Sequence, residues 1–167
     1  MARAHGEVRG PADPLGEVLH FLRMNGTFYC RSELTAPWAL AVPPEKGEVG
    51  FQVVTAGRCW LEFEEAERVL LQAGDLTLVP HGGYRIASEP GLPARRIDEL
   101  RCEHVSDRYG ILRHGGGGAP TSLICGCVRF DHPAAHHLVT LLPRVIHVEA
   151  SSSPLTDWIQ STVRFMA

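Results

Sequence analysis

The 167 residues carry 44% hydrophobic and 21% charged side chains and a formal net charge of -3. That is the make-up of one ordinary globular domain, large enough to close a core without staples. A pI of about 6.3 with no Lys/Arg cluster excludes a self-sufficient nucleic-acid-binding domain, for which a pI above about 9 is usual. No apolar run approaches the roughly 18 residues of a membrane span, and residues 1–14 hold no apolar signal core. The expectation is therefore a cytoplasmic protein with no membrane partner. Five cysteines, at 30, 59, 102, 125 and 127, are an odd number. In that compartment they read as reduced, small apolar groups rather than a disulfide framework.

Residues 1–12, rich in Gly, Arg and Ala, read as a disordered lead-in. Asp13 as N-cap and Pro14 at the first helical position open a helix. Leu15, Val18, Leu19 and Leu22 recur at helical spacing, and Asn25-Gly26 stops it. From 27 to 86 the pattern changes to short strands punctuated by Gly or Pro, as in a β-sandwich or barrel. The strands are expected at 27–34, 38–42, 49–55, 58–63, 68–72, 76–79 and 84–87. Ala56-Gly57 reads as a hairpin turn between two of them. Residues 88–93 form a loop, and 97–104 is open between helix and strand.

Two further strands, 109–114 and 121–130, flank four consecutive glycines, 115–118. No Lys-Ser/Thr follows and no helix opens after them, so the mechanics of a phosphate loop are missing. A flexible hairpin loop is the expectation. Residues 133–142 form a short helix closed by Pro143. Ser153-Pro154 opens a last helix with Leu155, Trp158, Ile159, Thr162, Val163 and Met166 on one face. No cap closes it before Ala167, which reads as a helix cut short.

Residues 74–85 read GDLTLVPHGGYR. The stretch is similar to the second cupin motif: Gly, five residues, Pro, one residue, Gly, two residues, then His. Gly74, Pro80 and Gly82 fall on their slots, and Arg85 stands where the histidine would be. The segment ending at Gly57 resembles the first cupin motif, with Gly50 on the slot of the metal-ligating Glu and no His-x-His pair before it. The ligand set of a metal-dependent cupin enzyme is thus missing from its slots.

More of the chain resembles the N-terminal domains of AraC-type transcription regulators. The matching stretches are Asp13-Pro14-Leu15, Ala36-Pro37-Trp38-Ala39-Leu40, Gly57-Arg58-Cys59-Trp60-Leu61, Gly74 to Gly82, Leu112-Arg113-His114 with the glycine run, and Cys125-Gly126 leading to Arg129-Phe130-Asp131. The resemblance implies a mainly β fold, a cupin-like jelly-roll barrel over 13–150, with an N-terminal helix and C-terminal helices. It implies a ligand-sensing and dimerising domain that is not an enzyme and needs no cofactor. It places two helix-turn-helix units just after Ala167, so that DNA is bound through a domain outside this chain. Residues 151–167 would begin a helical dimerisation segment in which Leu155, Trp158, Ile159 and Val163 meet the barrel or a second copy. Relatives carry a His at the slot of Gln52, so Gln52 and Arg85 are departures.

Strand alternation from Gly50 turns Gln52 and Val54 inward. Arg85 takes the second inward slot, where it would suit a carboxylate or phosphate. The alternative is that Arg85 pairs with a local Glu or reaches solvent. With Trp60, His81 and Tyr84 these residues make up the candidate pocket for an unidentified small-molecule effector. No metal site is expected. The alternative is zinc on Cys102, His104, Cys125 and Cys127, a tetrahedral set of soft ligands, in a stand-alone small cupin with a metal-dependent enzymatic or metal-sensing role. Cys125 and Cys127 share one strand face, yet a single residue between them is closer than the usual zinc spacing.

Overall fold

The computed structural model describes residues 24–44, 47–64 and 67–150. These form strands β1 (Met24–Thr35), β2 (Ala39–Val42), β3 (Glu48–Ala56), β4 (Arg58–Glu62), β5 (Arg68–Gln72) and β6 (Leu76–Val79). They continue as β7 (Tyr84–Ala87), β8 (Arg95–Arg96), a 3-10 turn (Ile97–Glu99), β9 (Cys102–Ser106), β10 (Tyr109–Gly115) and β11 (Pro120–Phe130). A short helix, α1 (Pro133–Thr140), and β12 (Ile146–Val148) follow. The expected terminal helices, including Leu155, Trp158, Ile159 and Val163, lie outside the described residues. Met24 and Asn25, expected to end the first helix, open β1 instead.

The strands make a seven-stranded sheet, in the order β12-β6-β3-β11-β1-β10-β9, and a five-stranded sheet, β5-β4-β7-β2-β8. The expected barrel is therefore two facing sheets that do not close by hydrogen bonding. Alternation decides which side chains meet between them. On β4, Cys59 and Leu61 point into the core and are fully buried, while Arg58 and Trp60 point away. On β7, Tyr84 and Ile86 point in, and together with Leu40, Val54, Leu112 and Leu123 they fill the space between the sheets. The longest ladder is the antiparallel pair β1–β11, in register from Met24 opposite Phe130 to Thr35 opposite Pro120.

Two local expectations change once the pairing is seen. Ala56-Gly57 closes no hairpin, because β3 pairs with β6 and β11 whereas β4 pairs with β5 and β7. The turn carries the chain from one sheet to the other. Nor does the glycine run close a hairpin, because β1 lies between β10 and β11. The run wraps the end of β1. Gly116 and Gly118 donate backbone N–H bonds to the carbonyls of Thr35 and Ala36, both at 2.8 Å, and Ala36 donates to the Ala119 carbonyl at 3.0 Å. A Cβ on Gly115, at φ +138, would stand 1.9 Å from the Thr35 carbonyl oxygen. Gly115, Gly116 and Gly118 are there because the end of β1 and the residues after it run against them, and Gly117 because its φ of +86 suits glycine.

A buried carboxylate fastens the end of the described chain. Asp75, in the turn between β5 and β6, accepts N–H bonds from Gln72 and Ala150, each at 2.9 Å. The His147 Nε2 lies 3.1 Å from the same carboxylate. Burial alone pushes the Asp75 carboxyl up. The Ala150 and Gln72 N–H groups and the His147 ring outweigh that and hold it below the ordinary carboxylate range. This holds β12 against β6, where Ile146, His147 and Val148 pair with Leu78, Thr77 and Leu76.

Two outcomes follow from these contacts. Gly115→Ala should cost about 3 kcal/mol or more, since strained backbone and an overpacked contact add. An unchanged denaturation midpoint for that variant would contradict the wrap. For Asp75, the folded value is the lower one, so its contribution is present above about pH 4 and is lost as pH falls through the lowered value. Urea midpoints measured at pH 6 and pH 3 should therefore differ more in the native protein than in Asp75→Asn, and equal slopes would remove Asp75 from the account.

Candidate functional site

A cavity of about 330 Å³ lies between the sheets. The large sheet supplies Phe28 and Cys30 from β1, Gly50 from β3, Val79 from β6, Cys102 from β9, Leu112 from β10 and Cys125 to Cys127 from β11. The small sheet and the 3-10 turn supply Val42, Tyr84, Ile86 and Ile97. Two carboxylates, Glu48 and Asp98, also reach the lining, and each is already paired. Glu48 meets Arg129 at 2.6 Å and Asp98 meets Arg96 at 2.6 Å. What remains is an apolar, uncharged wall with sulfur on one side.

At one end of the cavity a polar chain crosses from sheet to sheet. The Thr77 hydroxyl donates to the Gln52 side-chain carbonyl at 2.6 Å, and the Gln52 amide N–H donates to the Tyr84 hydroxyl. Gln52 and Thr77 are register partners on β3 and β6, whereas Tyr84 belongs to the facing sheet. All three are buried. Burial pushes the Tyr84 phenol well above its usual range. Tyr84 therefore stays protonated. Having accepted from Gln52, it retains its own O–H as a donor for whatever fills the cavity.

The slots of a metal cupin are occupied otherwise. A Cβ placed on Gly50 would stand 3.1 Å from the Tyr84 hydroxyl. The tyrosine thus fills the space that a longer side chain at position 50 would need. Arg85 does not face the cavity. Its neighbour Tyr84 does, and alternation sends Arg85 to the outer face. There it donates to the Leu92 carbonyl and lies 3.9 Å from Glu62, the local pairing that was the alternative reading. Glu62 is 7% exposed and is also met by Arg68 at 3.2 Å. A one-residue shift of phase at the Pro80–Gly83 corner separates the expected inward residue from the observed one.

The other expected residues divide. Gln52 and Val54 are buried and inward, as alternation from Gly50 requires, but they stand behind the cavity wall rather than on it. Trp60 lies on the outer face of β4, opposite Ala87 and Leu70. His81 sits at the corner, with Nε2 3.2 Å from the Leu142 carbonyl, and is not part of the lining. The zinc set is not assembled. Cys102, Cys125 and Cys127 reach the cavity, but His104 is exposed and directs Nδ1 at the Cys102 carbonyl, 3.2 Å away. Among the described residues no group of three or more His, Cys, Asp or Glu side chains is placed to hold a metal ion.

The sequence reading missed the sulfur wall. Cys30 was the thiol that no local pattern tied to the others, because its place beside Cys102 and opposite Cys125 arises from strand pairing alone. Burial pushes Cys30 up to about 11, with Cys102 adding to the effect, and burial also raises Cys125 strongly. These two thiols carry no charge at neutral pH, in keeping with the apolar wall around them.

The Gln52 bridge makes a mutational series informative. Tyr84→Phe leaves the Gln52 N–H buried without an acceptor, which should cost about 1–3 kcal/mol. The triple change Gln52→Leu, Thr77→Val, Tyr84→Phe removes donors and acceptors together, and it should recover most of that loss in chemical denaturation. A triple variant weaker than the sum of its parts would refute the bridge as drawn.

The cupin family model Cupin_6 matches residues 13–167. No curated protein matches the chain. In structure it is similar to the protein YhaK from Escherichia coli, with a TM-score of 0.41, 11% identity, and 71% of this chain and 40% of that one covered. It is also similar to unsaturated fatty acid bound wild-type ToxT from Vibrio cholerae strain SCE256, with a TM-score of 0.40, 8% identity, and coverage of 83% and 50%. A third likeness is the Momordica charantia 7S globulin, with a TM-score of 0.30, 10% identity, and coverage of 77% and 30%. The chain spans half or less of the length of each of these structures. With two facing β-sheets around a central cavity and a family match over nearly its whole length, the chain belongs to the cupin family.

Proposed function

We propose that this chain is the effector-binding domain of an AraC-type transcription regulator and has no catalytic activity of its own. The observation that carries the reading is the cavity between the sheets: about 330 Å³, apolar, with its carboxylates already paired. An apolar cavity of about 150 Å³ is enough to take up benzene, so this one has room for a small aromatic or branched molecule. The Tyr84 O–H gives it one directional contact. The favoured effector is therefore neutral, largely apolar, and carries one hydrogen-bond acceptor.

The regulatory half of the proposal rests on the sequence resemblance to AraC-type sensor domains. In that reading the chain works as a homodimer, with Leu155, Trp158, Ile159 and Val163 in the contact. DNA is bound by helix-turn-helix units outside this sequence, in the cytoplasm. The effector would act by binding one arrangement of the linked domains better than another. Among the described residues no helix is long and apolar enough to cross a membrane. The runner-up, a metal-dependent cupin, is disfavoured by the chemistry of the slots: glycine at 50, an outward arginine at 85, and an amide and a phenol where ligands would converge.

The test uses two probes of matched size and shape, acetophenone and α-methylstyrene, which differ in a carbonyl acceptor. Both should raise the thermal midpoint of the purified chain, by up to about 2–3 kcal/mol of added stability near saturation. Acetophenone should bind the tighter by about five-fold, one hydrogen bond's worth, and Tyr84→Phe should erase that preference. Cys127→Phe, which puts a ring into the cavity, should abolish both shifts. Shifts that survive Cys127→Phe would place the ligand elsewhere and overturn the reading.

A further inference from the structure

Four sulfurs line the cavity, and two of them, from strands that do not pair, are in contact. The Cys30 and Cys102 Sγ atoms are 4.0 Å apart. They belong to β1 and β9, which do not touch, because β10 runs between them. The residue of β10 that stands opposite Cys30 is Gly110. A Cβ there would meet the Cys102 Sγ at 2.5 Å and the Phe28 ring at 2.9 Å. The absent side chain of Gly110 is thus the gap through which Cys102 reaches Cys30. Any other residue at 110 would separate the two thiols.

We propose that Cys30 and Cys102 form a dithiol site for a soft trivalent metalloid, a mono-organo arsenical of the type R–As(OH)2. The inference deepens the reading of this cavity as the ligand chamber. A pyramidal trivalent centre with bonds to sulfur of about 2.3 Å, the length of zinc–thiolate bonds, and angles near about 100° holds two sulfurs about 3.4 to 3.7 Å apart. The observed 4.0 Å is a few tenths of an ångström longer, a gap that small side-chain rotations of the two cysteines close. A direct disulfide fits less well. It needs Cα atoms within about 7 Å, and two strand spacings of roughly 4.8 Å intervene here.

Charge and angle together narrow the class. The wall is apolar, and a net charge placed against it is heavily penalised. A monovalent soft ion held by two thiolates would leave one negative charge behind. An arsenical leaves none. A divalent soft ion on two thiolates is also neutral, but in its linear form it needs sulfurs about 4.6 Å apart, wider than the observed 4.0 Å. Two As–O bonds break and two As–S bonds form, each departing hydroxide takes one thiol proton, and two waters are released. Arsenic stays trivalent, and no oxidant or reductant is consumed. A tetrahedral ion is not served, because no third ligand of the described residues is in place. The organic substituent then occupies the apolar space beyond the sulfurs, beside Leu112 and Phe28.

The probe is phenylarsine oxide, added to the reduced whole chain under native conditions and read by intact mass and by counting free thiols. One phenylarsenic should add per chain, and two of the five thiols should become unreactive until a competing dithiol such as ethanedithiol is added. Cys102→Ala and Cys30→Ala should each weaken capture by about 100-fold or more, the loss expected when a two-point attachment becomes single. Cys125→Ala and Cys127→Ala should leave it within a few-fold. Because Cys30 is buried, thermal melts confirm that each variant folds, and Cys102→Ala, at a half-buried edge position, carries the test if Cys30→Ala does not. Capture that persists in Cys102→Ala, or that is lost in Cys125→Ala instead, would overturn the proposal, as would no adduct on the folded native chain. Retained acetophenone binding without arsenical capture would sink this inference alone, and loss of both would sink the cavity reading with it.

Discussion

The fold turns on one amide. Gln52 is buried at the centre of β3, and a buried amide must find partners on both its faces or cost the domain more than it contributes. It finds them in two directions: Thr77 within its own sheet, and Tyr84 across the gap in the facing one. The two sheets do not close on each other by backbone hydrogen bonds, so this side-chain bridge, with the apolar packing around it, sets their relation at that end. Tyr84 is fixed by it in position, and Tyr84 in turn fixes what Gly50 has to be. A Cβ at 50 would already stand 3.1 Å from the phenol oxygen, so a side chain longer than alanine's would compete with Tyr84 for its place beside Gln52. One end of the cavity is thereby given its boundary and its single donor.

Much of the strand layout was legible in the sequence. The intervals between Gly and Pro mark β2 to β7 within a residue or two, because chain turns are set by local backbone chemistry. Which strand lies beside which was not legible. Both glycine features invited hairpins, at Ala56-Gly57 and at 115–118, and neither closes one. Pairing is decided by distant partners. β1 inserts between β10 and β11, and the glycines answer to the end of β1 rather than to their own neighbours. β8 and β12 escaped notice since two or three residues carry no periodicity to detect.

The site shows the same division at finer grain. Counting from Gly50 put Gln52 and Val54 on the correct face, for alternation holds along an unbroken strand. Counting through the Pro80–Gly83 corner failed, because a turn does not preserve phase, and a slip of one residue exchanged Tyr84 for Arg85. Arg85 then takes the role that an exposed guanidinium takes most readily, beside the buried Glu62 and under the Leu92 carbonyl. The motif slot was recognised in the sequence, but its side chain points the other way.

The cavity's chemistry follows from these placements. Had Arg85 faced inward, the chamber would have carried a permanent positive charge and selected anions. With Tyr84 there instead, and with Glu48 and Asp98 held by Arg129 and Arg96 at the margins, the interior has no uncompensated charge to offer. Selectivity has to come from shape, from one phenolic donor, and from polarisable sulfur. Sulfur suits such a room: neutral thiols pack as small hydrophobes until something that bonds to them arrives. The side-chain volume missing at Gly110 bears on the same point. It leaves two strands without steric separation in the one place where their cysteines meet, so the distance between Cys30 and Cys102 depends on the sheet pairing and on that glycine together.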